Sequence, residues 1–100
     1  MRQCTRAEFI CTLAIDPALL ADWVVTFRQY GVVLVEAEKA RCKLEGNVLT
    51  VIIEPEETLL FDHKDMAEMQ VQAVTTGGDP LVSDIYHFEV DECIRKKVLL

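Results

Sequence analysis

The residues able to do chemistry are few and scattered: His63 and His87, the cysteines Cys4, Cys11, Cys42 and Cys93, and an acidic cluster of Glu54, Glu56, Glu57, Asp62 and Asp65. His63 stands between Asp62 and Lys64, and a neighbouring carboxylate can orient an imidazole as a general base. No nucleophile motif accompanies it, so a solvated loop histidine accounts for it better. His87 falls between Tyr86 and Phe88 on the polar side of an alternating segment, and reads as a surface residue beside a cross-strand partner. A metal centre needs both histidines and one or two cysteines to converge, and no Cys-x-x-Cys spacing anchors one. The acidic cluster lacks the Asp-x-Asp-x-Asp-Gly rhythm of a calcium loop and reads as a solvated face. Gly77-Gly78 lies in a hairpin, whereas a phosphate-cradling glycine loop opens a helix. Paired carboxylates for glycoside hydrolysis need a deep cleft that a chain of 100 residues rarely builds. The expectation is no enzyme: no catalytic residue, no cofactor and no metal.

Composition narrows the partners. Net charge is −7, from 10 Lys+Arg against 17 Asp+Glu, which counts against nucleic acid and anionic membrane surfaces, since both require a basic footprint. Hydrophobic residues make up 51% and charged ones 27%, a balance that folds rather than stays disordered. A single domain of this length buries only about two thirds of its unfolded surface, so this apolar content implies that some of it is destined for a partner. Four cysteines are too sparse for a stapled secreted scaffold, and they read as reduced thiols of an intracellular or cytosol-assembled protein. Residues Met1–Glu8 contain no apolar stretch behind their charges, so no signal peptide is expected, and the apolar runs fall short of the ~18 residues of a membrane span.

The elements that must position these residues are strands. Glu8–Ile15 alternates with Phe9, Cys11, Leu13 and Ile15 on one side, and Asp16-Pro17 stops it. Asp at an N-cap and Pro at the first position favour a single helical turn over Asp16–Asp22. Trp23–Tyr30 and Val32–Glu36 flank Gly31 as a hairpin, with Trp23, Val25 and Phe27 facing a core. Trp23 there reads as core rather than as an interface anchor. Arg41–Glu45, the turn Gly46-Asn47 and Val48–Ile53 form the strongest local hairpin. Glu54–Leu60 starts with Pro and acids, as a short helical turn does, and Phe61–Asp65 follows as a polar loop. Met66–Val74 has helix-forming residues but a period of two, with Ala67, Met69, Val71 and Ala73 inward. Thr75–Pro80 is a hairpin tip, and Leu81–Val90 returns as one long strand with Asp84, Tyr86, Phe88 and Val90 on one face.

The sum is an all-β antiparallel sandwich of about seven strands with one or two short helical turns, one domain over 1–100. Residues 91–100 carry charges and then apolar side chains without strand alternation, so they read as an extended or docking tail. Ile94, Val98, Leu99 and Leu100 are its candidate partner-binding residues, by strand addition or as a hydrophobic plug.

A resemblance lies in the carboxy-terminal half. It rests on Pro55, Glu56, Glu57, Thr58 and Leu59 after a strand, then Gly78-Asp79, Ser83-Asp84-Ile85, and the ending Val90, Ile94 and Val98. In this pattern the chain resembles small proteins of the tail modules of phages and prophages of Gram-positive bacteria. It is similar to the amino-terminal immunoglobulin-like domain of the phage baseplate upper protein family. The amino-terminal half shares only the strand rhythm. The resemblance implies an immunoglobulin-like sandwich acting as a non-enzymatic structural or assembly subunit of a tail or baseplate, located in the virion and assembled in the bacterial host cytoplasm. Its partners are then proteins, as a homo-oligomer or with other virion tail proteins. The competing expectation is a monomeric binding module, adhesin-like or carbohydrate-recognising, which an exposed row of aromatics would favour.

Overall fold

The computed structural model describes residues 1–99; Leu100 lies outside the described residues. Eight strands form two antiparallel sheets. β1 (Ala7–Thr12), β5 (Val48–Ile53) and β4 (Cys42–Glu45) make one sheet in that order. The second sheet runs β3 (Val32–Glu38), β2 (Leu20–Gln29), β6 (Ala67–Thr75), and β6 also carries β7 (Pro80–Val82) and β8 (Tyr86–Phe88) on its far side. This is the strand order of an immunoglobulin-like sandwich: β1, β5 and β4 stand in the places of B, E and D, and β3, β2, β6 and the β7–β8 pair in those of C′, C, F and G. Before β1, Arg2 bridges Asp91 in parallel.

Period-two alternation makes the core. Val25 and Phe27 of β2, Leu49, Val51 and Ile53 of β5, and Ala67, Met69 and Val71 of β6 are buried, while the residues between them face outward. Trp23 is buried with them, so the core reading of the tryptophan holds. Phe9, Phe27 and Phe88 form an edge-on aromatic cluster, with centroids 5.0 Å apart for Phe9–Phe27 and 4.9 Å for Phe9–Phe88. Such contacts between sheets hold the sandwich beyond simple area burial. The outer face of the second sheet is polar, with Arg28, Glu68 and His87 in line across β2, β6 and β8.

Turn chemistry decides where strands end. Tyr30 and Gly31 both have positive φ, 54° and 74°, the geometry that matches strand twist in a tight hairpin. The short helix α1 (Pro55–Thr58) has Pro in its first turn and a reciprocal cap between Glu54 and Glu57. A 3-10 turn over Pro17–Leu19 is capped by Asp16.

Three expectations are corrected. The first strand ends at Thr12 rather than Ile15, although burial continues to alternate through Leu13 and Ile15. The single strand Leu81–Val90 is broken at Ser83 into β7 and β8: the Ser83 hydroxyl accepts from the Val71 N–H and donates to the Asp84 carbonyl, and so takes the place of a ladder bond. Phe61 is no part of a polar loop but is fully buried against Phe88, with centroids 5.9 Å apart. An aromatic at the end of a helical turn can swing under the sandwich whatever the polarity of its neighbours.

Candidate interaction surface

The two histidines and the acidic cluster do not gather into one site. His63 Nε2 lies 2.7 Å from Glu92, and His63 Nδ1 is 3.7 Å from Asp62. His87 faces Glu68 at 3.5 Å on the outer sheet. Among the described residues no three His, Cys, Asp or Glu side chains gather as a metal site. The acidic cluster is divided between separate partners. Glu57 accepts two hydrogen bonds from the Arg41 guanidinium, which holds its carboxyl below the usual range, partly offset by burial. Asp62 is lowered chiefly by the N–H of Lys64 donating to it, and Glu54 takes part in the α1 cap and stands 3.9 Å from Arg6. Asp65 accepts from the Met66 N–H, so Glu54, Glu57, Asp62 and Asp65 are engaged in separate turns or ion pairs.

The loop Asp62–Asp65 is fastened by one buried side chain. Gln29 Nε2 donates to the carbonyls of Asp62 and Asp65, and its Oε1 accepts from the Asp62 N–H. That clamp supports Phe61 from outside the core.

Besides single exposed side chains such as Ile10 and Leu60, apolar surface among the described residues is grouped in three places. The segment after Val90 exposes Ile94 almost fully, at 93%, and Leu99 at 85%, while Val98 is half-buried; Leu100 lies outside the described residues. The hairpin joining β2 and β3 exposes Tyr30, Val32 and Val33. The third is a cleft of about 480 Å³ where the two sheets part. Leu13 and Ile15 after β1 form one wall, Leu81, Val82 and Tyr86 the other, and Leu49 lies within it. It lies between β1 and the β7–β8 pair, edge strands of the two sheets. Trp23 also borders this cleft; its indole N–H is buried without a partner.

Sheet edges differ in how open they are. β4 has four residues and β7 three, with Pro80 leading β7, and short, proline-bearing edges discourage pairing. β3 shifts register against β2 at Phe27/Arg28, an irregularity that twists an edge away. β1 is six residues long and regularly paired to β5 on one side only, so it is the edge best suited to accept a strand.

Ile94, Val98 and Leu99 do not gather into a pocket of their own; they project from a segment held at its root. The cleft and the β1 edge could not be read from the sequence, because each depends on which strands end up at the rims. No helix among the described residues is long and apolar enough to cross a membrane. The fold and surface define an antiparallel sandwich of immunoglobulin-like order with uncovered apolar edges. No known protein family matches the chain, and no curated protein matches it in sequence.

Proposed function

We propose that the chain is a non-enzymatic packing subunit that assembles with copies of itself or with other proteins, and that the assembly is a phage or prophage tail or baseplate. The observation that carries the packing role is the apolar surface beyond Val90: two large aliphatic side chains stand almost wholly in solvent, at 93% and 85% for Ile94 and Leu99. Exposed apolar side chains on a segment without sheet pairing are what a docking strand offers to a partner. The free edge of β1, beside the cleft, is the matching acceptor. Charge supports the same reading. All 17 Asp+Glu fall within residues 1–93, and three of the ten Lys+Arg are Arg95, Lys96 and Lys97, so the body carries −10 and residues 94–100 carry +3. The phage assignment is supported by the sequence pattern from Pro55 to Val98.

Light scattering tests the packing role. The full chain should have a mass above that of the 11.3 kDa monomer. A chain ending at Val90 and the double variant Ile94→Glu, Leu99→Glu should both be monomeric; the latter keeps Asp91 and its bridge to Arg2. A monomeric full chain at every concentration would overturn the proposal.

The cleft favours a second reading, a monomeric binding module, adhesin-like or carbohydrate-recognising. It has apolar walls with Tyr86 at its border and Asp84 as a polar group. The exposed aromatics Tyr30 and Tyr86 lie on separate elements and form no row, which is why packing is preferred. A full chain that stays monomeric and binds an oligosaccharide in calorimetry would support this second reading.

A further inference from the structure

Cys4 and Cys93 are 89 positions apart in sequence, yet the fold sets them side by side. The parallel bridge between Arg2 and Asp91 fixes the register: Gln3 N donates to the Asp91 carbonyl at 3.1 Å, and Asp91 N donates to the Met1 carbonyl at 2.7 Å. Two residues further along each segment come Cys4 and Cys93. Cys93 N donates to Gln3 Oε1 at 3.1 Å, which holds the second segment in place. Both thiols then converge on one acceptor, with Cys4 Sγ 3.5 Å and Cys93 Sγ 3.2 Å from the Arg95 carbonyl.

Cys4 also has a backbone that its side chain disfavours, with φ at 62°. Left-handed backbone at a non-glycine residue persists only where its surroundings enforce it, and here it turns the thiol toward Cys93. We propose that Cys4 and Cys93 form a disulfide site, which a small disulfide oxidant such as oxidised glutathione closes to fasten the amino-terminal segment to residues 91–97.

The exchange balances without any group from the protein beyond the two thiols. One cysteine thiolate attacks a sulfur of glutathione disulfide, forming a mixed disulfide and releasing one glutathione thiolate. The second cysteine thiolate attacks the protein sulfur of that intermediate, the Cys4–Cys93 bond forms, and the second glutathione leaves. The protein gives up two electrons and two protons, and the oxidant becomes two thiols. Desolvation and then the neighbouring Cys93 push the Cys4 thiol up, and Lys96 and Arg95 offset this only in part, so the exchange runs faster in mildly alkaline buffer, where more thiolate is present. Both residues are half-buried rather than enclosed, which leaves the pair open to a small oxidant. Cys11 and Cys42 differ. They sit on β1 and β4 with β5 between them and pack against the core.

The site does not depend on what the chain assembles with. Full-length protein incubated with oxidised glutathione, then alkylated and digested without reduction, should give one linked peptide pair containing Cys4 and Cys93. Intact mass should fall by about 2 Da, with two thiols left to titrate and no dimer on a non-reducing gel. Enclosing nearly the whole chain in one loop should raise Tm by roughly 10 °C or more, and dithiothreitol should reverse the rise. Cys4→Ser and Cys93→Ser should each abolish the linked peptide and the thermal shift. Four free thiols after oxidation, stable glutathione adducts on both cysteines, or a link to Cys11 or Cys42 would overturn the proposal. The mapping on unsubstituted protein decides the matter even if a variant folds poorly.

Discussion

Glu57 shows how much one surface carboxylate can report. It caps α1 by accepting from the Glu54 N–H and at the same time receives both arms of Arg41. The Arg41 hydrogen bonds are the main reason its carboxyl sits low; Glu68 is lowered chiefly by Arg28, and Asp62 by the Lys64 N–H. For all three, the folded value lies below the unfolded one. The stability they add is therefore complete above the ordinary carboxylate range of about 4 and is lost as pH falls through the folded values. Tm should be nearly flat from neutral pH down to about 5 and should drop below about 4. Glu57→Gln should lower Tm at neutral pH and flatten the acid limb; parallel melting curves for the two proteins across a pH series would refute this account. Gln29 lies at the opposite extreme. It is a buried amide whose partners are all backbone groups; the period of two puts it on the face of Val25 and Phe27, but nothing local names the loop it clamps.

At the level of elements, the alternation was legible wherever a strand has one buried face. Val48–Ile53 has the expected bounds, and β6 is a strand although Met, Ala, Glu and Gln favour helix. Burial on one side outweighs a propensity difference of a few tenths of a kcal/mol per residue. The expectation failed over Leu81–Val90, because the break depends on Ser83 meeting the Val71 N–H from a neighbouring strand, and no local pattern records that. The Tyr30-Gly31 turn was legible from glycine, but its handedness was not. Since Gly31 has φ of 74° with open space where a Cβ would go, a side chain there is disfavoured by backbone strain alone. Gly31→Ala should destabilise the domain by about 1–2 kcal/mol, measured by denaturant unfolding with an unchanged m-value; a neutral result would mean the hairpin relaxes to another turn.

Across the whole molecule, charge is divided as unevenly as apolar surface. If copies pack as proposed, an acidic body of −10 and a basic segment of +3 attract one another between copies, reciprocally in a closed dimer or head to tail in a ring or filament. Long-range attraction of this kind acts on encounter, so salt should slow association while the buried apolar contact keeps its strength. Stopped-flow mixing of the assembling chain should show an association rate that falls several-fold between about 0.1 M and 1 M salt as screening shortens from ~10 to ~3 Å. A rate unaffected by salt would exclude steering by the Arg95–Lys97 charges.

Sequence alone determined the strand-forming segments, their inward faces and the sandwich class, because a period of two ties each side chain to a face through covalent geometry that needs no knowledge of neighbours. It also set residues 91–100, charged and then apolar without alternation, apart from the strands. Tertiary structure alone decided which strands became edges, where the sheets part into a cleft, why Phe61 is buried, and that Cys4 meets Cys93. Each of these depends on contacts between residues far apart in the chain, and such contacts exist only once the two sheets have closed on one another.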